Sequence, residues 1–410
     1  MNILYINHYA GSPEMGMEFR PYYLSREWVK MGHKVTIIAG DYSHLRKVNP
    51  KVTEDFQSET IDGIEYCWVK TGEYEGNGVK RALTMERFVR KLYSHAKMIS
   101  DRWHPDVVIA SSTYPLDTYA AQRIAKVSGA KYIHEVHDMW PSTLYEVGGM
   151  SRHNPFVVVM QIAENSAYRH CDKCVALLPY SKDYMCRHGL AADKFINIQN
   201  GVIEEEWSCP EDIPEQHRSF FDDNKDSFIV GYFGGHALSN ALDNMLETAK
   251  KYKEAYPEDK VLFVLVGNGQ EKPRLVEKAS AEGLENVVFL PPVAKKAVPS
   301  LLKYFDCTYM TGMRSPLYRF GLCLNKMYDS MMAGLPIICA FDAPRTLVEE
   351  FDCGIQCSPD DYGTIIDAIR KFRNMDKSQL AEVGAKGHEA IVQHFLYDQL
   401  AKTFESQFKA

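Results

Sequence analysis

Short apolar segments alternate with amphipathic ones along the first half of the chain. ILYINHY is followed by FRPYYLSREWVKMG, whose apolar residues have helical spacing, and then by KVTIIAG. DVVIASS, LDTYAAQRIAKVSG and KYIHEVHD repeat this order, and AENSAYRHCDKCVALLP repeats it again before INIQNGV. Strands separated by helices in this way are typical of parallel βαβ units. We therefore predict a doubly wound α/β domain over residues 1–205.

The alternation stops at an acidic segment and then returns. Residues 203–226, IEEEWSCPEDIPEQHRSFFDDNKD, contain two prolines and no clean period, which indicates a linker. SFIVGYFGG, VLFVLVGNG, NVVFLPPV and CTYMTG then alternate with amphipathic segments and predict a second domain over residues 206–392. The expected fold class is α/β, with two facing Rossmann-like domains and a cleft between them. We expect a last helix, residues 393–410, to pack back on the first domain.

Composition narrows the class of protein. A length of 410 residues favours two domains, and the net charge of −7 gives no overall attraction to nucleic acid. No apolar run is long enough to span a bilayer, and MNILYINHYA lacks the charged start of a signal peptide. The ten cysteines are therefore expected to be reduced thiols in the cytoplasm. Cys171 and Cys174 form a CxxC, but no second pair has zinc-finger spacing, so a buried strand is the better interpretation.

Residues 79–97, VKRALTMERFVRKLYSHAK, form a basic amphipathic segment. Two interpretations stay open: a helix lying on an anionic membrane, and an ordinary surface helix packed on the core. The membrane interpretation places the protein peripherally on the inner face of the cell membrane. The apolar face would contain Leu83, Met85, Phe88, Val89, Leu92 and Ala96, and the basic positions are Lys80, Arg81, Arg87, Arg90, Lys91 and Lys97.

Glycine-rich turns follow several predicted strands. Ligands of doubly wound sheets bind beyond the carboxyl ends of the strands, where glycine lets the backbone come close to a ligand. Neither a GxGxxG nor a Walker A sequence is present, so these turns do not predict a classical dinucleotide or P-loop site. The glycines at such positions are Gly11, Gly234, Gly235 and Gly267.

Residues 319–340, RFGLCLNKMYDSMMAGLPIICA, predict a helix from about Leu324 and then a strand. Asn325, Lys326 and Asp329 would lie along one edge of that helix. The free amides of a helix N-terminus together with a lysine suit a diphosphate, and a carboxylate suits the diol of a ribose. The alternative is that Asn325 caps the helix and Asp329 favours the positive end of its dipole.

His137 follows a predicted strand in KYIHEVHDMWP. It either faces a reacting sugar or is a structural histidine hydrogen-bonded by Asp138, and its position alone does not separate the two.

Six segments, taken together, resemble the landmarks of retaining glycosyltransferases of family 4 with the GT-B fold. In order, they are GSPEMGMEFRPYYLSREWVKMGHKVTIIAG, YIHEVHDMWP, DKCVALLPYSKDYMCRHGLAADKFINIQNGV, YFGGHALSNALDNMLETAK, LVGNGQEKPRLVEKASAEGLENVVFLPPVAKKAVPSLL and LNKMYDSMMAGLPII. The nearest likeness is to the branch that builds bacterial cell-surface polysaccharides, which includes fucosamine transferases. The match extends over nearly the whole chain.

This resemblance implies a chemistry. A nucleotide-diphosphate sugar, UDP-linked in the family's commoner case, would bind the second domain, and an acceptor would face the first. The sugar, an amino or deoxy hexose, would be transferred with retention and without a metal ion or other cofactor. The acceptor would be a saccharide or a polyprenyl-diphosphate-linked saccharide, as in lipopolysaccharide or capsule synthesis.

The resemblance also implies site residues. Asp329 matches the second of two acidic residues that lie eight positions apart in the family, where it holds the donor ribose. The first would fall at Gly321, so backbone amides of 320–322 are expected to replace it. His137 matches the histidine beside the reacting sugar. We expect the charge of the diphosphate to be neutralised by His236, Asn240, Arg314, Arg319 and Lys326, and we place Leu322 on the donor side as well. The expected acceptor-side residues are Gly11, Glu14, Gly16 and Arg20.

Three rival functions remain open at this point. A sugar-nucleotide epimerase of the same architecture would need no acceptor, and a silent scaffold would bind nucleotide sugars without turnover. A short-chain dehydrogenase is suggested only by Tyr66 and Lys70, which lie in the predicted strand IEYCWVK and would not share a helical face.

Overall fold

A computed structural model describes residues 1–16, 18–76 and 78–409. The chain forms two compact units: unit 1 consists of residues 1–200 with 397–410, and unit 2 consists of residues 201–396. Each unit is a mostly parallel sheet with helices between its strands, so the predicted pair of Rossmann-like doubly wound domains is confirmed.

Unit 1 contains an eight-stranded sheet among its described residues. The strands are β1 (Asn2–Ile6), β2 (Lys34–Gly40), β3 (Gln57–Ile61), β4 (Ile64–Val69), β5 (Val107–Ala110), β6 (Lys131–Val136), β7 (Lys173–Ala176) and β8 (Phe195–Asn197). The helices are α1 (Arg20–Lys30), α2 (Val79–Ser94), α3 (Ala96–Trp103), α4 (Asp117–Ser128), α5 (Ser142–Glu146), α6 (Pro155–His170) and α7 (Lys182–Arg187), and a 3₁₀ turn covers Ala192–Lys194.

The order of this sheet is β3-β4-β2-β1-β5-β6-β7-β8, and only the β3–β4 pair is antiparallel. Strand β1 pairs with β2 through Asn2 and Lys34, and with β5 through Ile3 and Val107. The strand order reverses between β1 and β5, which is where doubly wound sheets bind ligands. Leu4 and other central strand residues are fully buried, as expected for a sheet covered on both faces.

Unit 2 has a six-stranded parallel sheet in the order β11-β10-β9-β12-β13-β14. The strands are β9 (Phe228–Gly235), β10 (Val261–Asn268), β11 (Val287–Leu290), β12 (Cys307–Thr311), β13 (Ile337–Ala340) and β14 (Gly354–Cys357). The helices are α8 (Glu204–Ser208), α9 (Glu215–Asp223), α10 (Asp243–Ala255), α11 (Lys272–Ala281), α12 (Val298–Leu302), α13 (Asn325–Met332), α14 (Leu347–Glu350), α15 (Tyr362–Arg373) and α16 (Lys377–His394), with 3₁₀ turns at Leu238–Asn240, Lys295–Ala297 and Pro316–Phe320. The strand order reverses between β9 and β12.

The segment predicted to be a linker is folded. It contains α8 and α9, and Ile213 and Phe221 are buried in the core of unit 2 beside Phe305. The apolar residues of this segment are too few and too widely spaced to show a helical or strand period, although Ile213 and Phe221 are buried.

In the C-terminal region the last helix begins at Tyr397, four residues after the predicted start at residue 393. Helix α16 starts with a capping box of Asp376 and Gln379 and remains in unit 2. The chain then breaks at Phe395 and continues as α17 (Tyr397–Glu405) and a 3₁₀ turn (Ser406–Phe408), which belong to unit 1.

The basic segment 79–97 forms helices α2 and α3, and the apolar face of α2 is turned inward. Met85 packs in a cluster with Tyr9 and Tyr114, and Phe88 and Leu92 are fully buried. Of the predicted apolar positions, Leu83 is exposed. The structure therefore corresponds to the surface-helix interpretation, because the face that would enter a membrane is part of the core.

Candidate functional site

Two neighbouring turns of unit 2 come into close backbone contact at the carboxyl edge of its sheet. Gly234, at the end of β9, has φ +129°, and Gly267, at the end of β10, has φ +156°. A Cβ atom on Gly267 would lie 1.9 Å from the carbonyl oxygen of Gly234, so that position excludes any side chain. The turn after β9 is further held by Tyr232 and Asn240, which both donate to the Gly235 carbonyl oxygen, at 2.7 and 2.8 Å.

Lys326 brings a cation to this turn. Its Nζ donates to the Tyr232 hydroxyl at 2.9 Å and to Asn240 Oδ1 at 3.1 Å, and it lies 4.4 Å from the centre of the Tyr232 ring. Among the described residues, Lys326 has no carboxylate partner. Burial lowers the pKa of Lys326 to about 8. The result is a half-buried ammonium group, held by neutral ligands, with its charge uncompensated.

His236 does not supply the charge that was predicted for it. Burial, followed by the nearby charges of Lys272 and Lys326, lowers the pKa of His236 to about 4, so the ring is neutral at physiological pH. In the described part of the chain neither ring nitrogen has a hydrogen-bond partner. We correct the prediction accordingly: His236 can offer one N–H and one acceptor, but no cation.

Arg314 and Arg319 are also not placed with Lys326. Arg314 pairs with Asp360 and, at 3.5 Å, with Asp342. Arg319 lies over the Phe320 ring and donates to the carbonyl oxygen of Pro316 at 2.6 Å. Each of the two arginines therefore has local partners of its own, and their contact with the diphosphate stays a prediction.

Helix α13 begins where the sequence predicted. Its N-cap is Leu324, in extended conformation and without a side-chain cap, so Asn325 is not the capping residue. The first amides of α13 therefore stand at the edge of the sheet, with Lys326 in the first turn. Met327, Tyr328 and Met331 are buried in the core and fix the helix in place.

The backbone at Gly321 explains why the acidic residue of the related pattern is missing there. Gly321 has φ +96° and ψ −177°, a region that is essentially restricted to glycine. Its N–H donates to the Tyr318 carbonyl oxygen at 2.9 Å, so this amide closes a turn, contrary to the predicted donor contact. The Leu322 side chain is buried, so this predicted donor residue could contribute only through its backbone.

Asp329 lies one turn after Lys326 on α13 and is half-buried. Burial raises the pKa of Asp329 to about 6, while Lys295 lowers it and Glu206 raises it. Lys295 itself forms an ion pair with Glu206 at 3.2 Å. In the described residues no side chain donates a hydrogen bond to the Asp329 carboxylate, which leaves its acceptor capacity unused.

Unit 1 carries a second polar cluster at the carboxyl edge of its sheet. Glu135, near the end of β6, is fully buried and accepts from Arg20 Nε at 2.9 Å, from Ser111 Oγ at 2.6 Å and from the Tyr5 hydroxyl. Burial would raise the pKa of Glu135, but Arg20 and then His137 hold it well below its usual range. Glu135 is therefore a carboxylate.

His137 lies between two carboxylates in this cluster. Nδ1 is 2.5 Å from Glu18 Oε1, and Nε2 is 3.1 Å from Glu135 Oε2 and 2.8 Å from Ser111 Oγ. Burial alone would lower the pKa of His137, but Glu18 and Glu135 raise it to about 10, so the ring is an imidazolium. The partner suggested by the sequence, Asp138, is replaced by Glu18, 119 positions earlier in the chain, which no local pattern could indicate.

The predicted acceptor-side residues differ in how far they are buried. Arg20 is buried, and besides Glu135 it donates to the carbonyl oxygens of Ile198 and Gln199 at 2.9 and 2.7 Å. We correct its assignment, because it ties β6 to the segment after β8. Glu14 is exposed in the loop that connects β1 to α1.

The two predicted glycines of this loop hold its shape. Gly16 donates to the Ser12 carbonyl oxygen at 2.9 Å, and Gly11 donates to that of Glu18 at 3.1 Å. Tyr66, on strand β4, donates to the Gly11 carbonyl oxygen at 2.7 Å, so it is part of this scaffold. The loop is thereby folded so that Glu18 reaches His137.

Family models match both halves of the chain. Residues 15–206 match Glycosyltransferase Family 4, and residues 214–387 match Glycosyl transferases group 1. The chain is 25% identical over 222 residues to the putative colanic acid biosynthesis glycosyl transferase WcaI of Escherichia coli K12. This match covers 53% of each protein, so the chain spans about half the length of that relative. It is 22% identical over 310 residues to the probable glycosyltransferase WbjE of Pseudomonas aeruginosa, covering 70% of this chain and 71% of WbjE.

Solved structures resemble the whole chain. Sucrose-phosphate synthase from Thermosynechococcus elongatus has a TM-score of 0.74 at 14% identity and covers 100% of this chain and 98% of its own. Anabaena HepE in complex with UDP has a TM-score of 0.66 at 15% identity and covers 100% of both chains. These likenesses confirm the predicted GT-B fold. Within the described ranges, no helix combines the length and the apolar character that crossing a bilayer requires.

Proposed function

We propose that the chain transfers a sugar from a nucleotide diphosphate to a saccharide or lipid-linked saccharide, because residues 15–206 match Glycosyltransferase Family 4 and residues 214–387 match Glycosyl transferases group 1. The sugar is an amino or deoxy hexose, the carrier is UDP, and transfer retains the anomeric configuration without a metal ion. The product enters a bacterial surface polysaccharide such as lipopolysaccharide or capsule, and the enzyme works in the cytoplasm. The names of WcaI and of the UDP-bound HepE support this choice.

The uncompensated charge of Lys326 is the observation that carries the proposal. An ammonium group held by Tyr232 and Asn240, beside the glycine turn after β9 and the first amides of α13, has the donors and the charge that a diphosphate requires. Neutral His236 adds a hydrogen-bond donor next to this group. Asp329, whose acceptor capacity is unused, is assigned to the ribose diol, and Asn325, Gly234, Gly235 and Gly267 to the donor backbone contacts.

The mechanism follows from where charge develops. The bond between the anomeric carbon and the phosphate oxygen breaks, and its electron pair stays on the diphosphate. The acceptor oxygen bonds to the same face of the anomeric carbon, and its proton goes to the departing phosphate oxygen. Lys326 and the α13 amides stabilise the leaving group more in the transition state than in the ground state, which accelerates transfer.

The unit 1 cluster is assigned to the acceptor side. Glu18 is partly exposed, at 19% of its side chain, whereas His137 is 8% exposed and Glu135 is fully buried. The buried imidazolium therefore orients the Glu18 carboxylate and gives this edge a fixed pattern of charge. His137 is proposed to contact the reacting sugar when substrates are bound, with Glu14, Gly11 and Gly16 in the loop beside it.

The test begins with donor binding. Purified full-length protein is titrated with UDP, dTDP and GDP and with their sugars, by thermal shift and calorimetry, because a ligand that binds the folded state raises the melting temperature. Transfer to saccharide acceptors is then followed by NMR, which reports the anomeric configuration of the product, with and without EDTA.

The same experiment would identify two of the rival functions. Isomerised donor released without an acceptor would identify an epimerase, and tight donor binding without any turnover would identify a scaffold. As a check on the acceptor side, H137Q is expected to slow transfer roughly tenfold or more while donor affinity changes less than about twofold. H153Q, at an exposed histidine of unit 1, is the matched control.

A further inference from the structure

Helix α6 has an apolar surface on both sides. Asn154 caps it by accepting from the Phe156 amide at 2.9 Å, and Pro155 fills its first turn. One face is buried in unit 1 through Val157, Met160, Ala163 and Ala167. The opposite face exposes Val158, Val159 and Ile162, at 41%, 48% and 56%. The spacing of three and four residues puts these side chains side by side on the surface.

Positive charges predominate around this face, and the exposed carboxylate of Asp172 lies just beyond the end of α6. Helix α4 packs beside α6, with Gln122 donating to Ser166 at 3.3 Å. The exposed residues of α4 are Arg123, Lys126 and Val127. From residue 147 to 170, a stretch described in full, the exposed charged side chains are Arg152 and Arg169, and the one glutamate of α6 is buried.

The adjoining segment extends the apolar surface. Val147 and Met150, which precede α6, are 56% and 38% exposed. A groove of about 550 Å³ opens between the ends of α4 and α6, and Lys126, Tyr132 and His170 line it. Exposed aliphatic residues with an excess of cations at their border have the chemistry of a surface that meets negatively charged lipid.

We propose that the face formed by α4 and α6, defined by Val127, Val158, Val159 and Ile162 with Arg123, Lys126, Arg152 and Arg169, docks on an anionic lipid bilayer. The aliphatic side chains enter the boundary between headgroups and acyl chains, and the basic side chains lie over lipid phosphates. This face differs from the apolar face of α2, which is buried in the core. The inference does not depend on the proposed transfer reaction, since vesicle binding needs no donor.

The first experiment measures binding of the full chain to vesicles. Phosphatidylglycerol vesicles are expected to bind the protein, and phosphatidylcholine vesicles are expected to bind it at least fivefold less. Raising the salt to 1 M is expected to weaken binding, because it shortens the Debye length to about 3 Å.

Matched variants then locate the surface. V159Q/I162Q is expected to reduce the partition coefficient roughly tenfold, and R123Q/K126Q a similar amount. The controls V276Q/V392Q and K260Q/K303Q remove two exposed aliphatic and two exposed basic side chains of unit 2, and they are expected to leave binding unchanged. The melting temperature of every variant is measured to verify that it is folded.

A second experiment tests directly whether the aliphatic side chains of this face insert into the bilayer. Tryptophan is placed at Val159 or, as a control, at Val276, and brominated lipids are expected to quench only the additional emission of V159W. The proposal is overturned if the protein does not bind anionic vesicles, if V159Q/I162Q binds like the parent, or if K80Q/R90Q on α2 accounts for the whole effect. A dimer in solution that V159Q/I162Q dissociates would assign the face to a second copy instead.

Discussion

Lys326 shows how burial prepares a side chain for an anion. Its ammonium group is held by a phenol and an amide, not by a carboxylate, so its charge is available although it is partly removed from water. Burial weakens the charged form enough to bring its pKa near 8. A bound diphosphate would reverse this, because an opposite charge favours the ammonium form.

Donor binding should therefore weaken as the pH rises through about 8. Above that value the free protein carries neutral Lys326, and binding must first add a proton. K326M is expected to weaken UDP binding by about 10- to 100-fold at pH 7, from the loss of a charge-assisted hydrogen bond. Calorimetry between pH 6.5 and 9.5 measures both effects, with K303M as the control. A dissociation constant that stays flat across this range in the parent would contradict the assignment.

Asp329 should make the free protein less stable at neutral pH. Its folded pKa of about 6 lies above the ordinary value of about 3.9. The folded state therefore holds the proton more tightly, and this contribution to stability is lost as the pH rises through 6. D329N is expected to be more stable than the parent by about 1–3 kcal/mol at pH 8 and equal to it near pH 4.

The same D329N variant should bind UDP roughly tenfold more weakly, because an amide is a poorer acceptor for the ribose diol. Melting temperatures at pH 4, 6 and 8 check the stability, and calorimetry checks the affinity. D367N, at an exposed carboxylate of α15, serves as the matched control. If D329N were both less stable at pH 8 and unchanged in affinity, the carboxylate would be a structural group.

At the scale of elements, α13 is positioned by contacts on two sides. Its own apolar residues enter the core, and α16 crosses so closely that a Cβ on Gly384 would lie 1.7 Å from the Gly334 carbonyl oxygen. Gly334 ends α13 with φ +67°. The helix that presents Lys326 and Asp329 is therefore held at its C-terminal end by a close backbone contact that only glycine permits.

G384A should break this contact. The methyl group cannot be accommodated against a backbone oxygen, so α16 must move away, at a cost of about 1–3 kcal/mol. G363A is the control, because its Cβ would meet its nearest atom at an ordinary 3.4 Å. Thermal unfolding of both variants gives the comparison, and equal melting temperatures would mean that the helices adjust freely.

At the scale of the whole molecule, unit 1 is completed by a distant part of the chain, whereas unit 2 is one continuous segment. Helix α17 belongs to unit 1, where Trp28 Nε1 donates to the Ala401 carbonyl oxygen at 3.0 Å and the Trp28 and Phe404 rings lie 5.2 Å apart. Unit 1 therefore cannot finish folding until the last residues are available.

F404A should accordingly destabilise unit 1 by about 3–5 kcal/mol, since it removes a fully buried ring. Tryptophan fluorescence reports mainly on this unit, which contains Trp28, Trp68, Trp103 and Trp140, whereas unit 2 contains Trp207. Urea unfolding followed by this signal measures the change, and T403A, exposed on the same helix, is the control. A midpoint unchanged in F404A would show that α17 does not contribute to unit 1.

The two α/β domains could be predicted from the sequence alone, because a strand covered on both faces leaves a short apolar run and a helix covered on one face leaves periodic apolar residues. Both patterns are local in the chain. The sequence also indicated Lys326 and Asp329, because helix spacing puts them on neighbouring turns. It did not reveal α9, in which Phe221 is the one buried apolar residue with His217 beside it, too few to establish a period.

Only the tertiary structure decided which charges meet. Glu18 and His137 form an ion pair although 119 positions separate them in the chain. Arg20 donates its hydrogen bonds to Glu135 and two backbone carbonyls, and burial lowers the pKa of His236 so that its ring is neutral. The turn at Gly321 excludes the acidic residue that the related pattern requires. The physical reason is common to the first three: electrostatic pairing and burial depend on distance in space, which local sequence does not encode, whereas hydrophobic patterning is a local property of the chain.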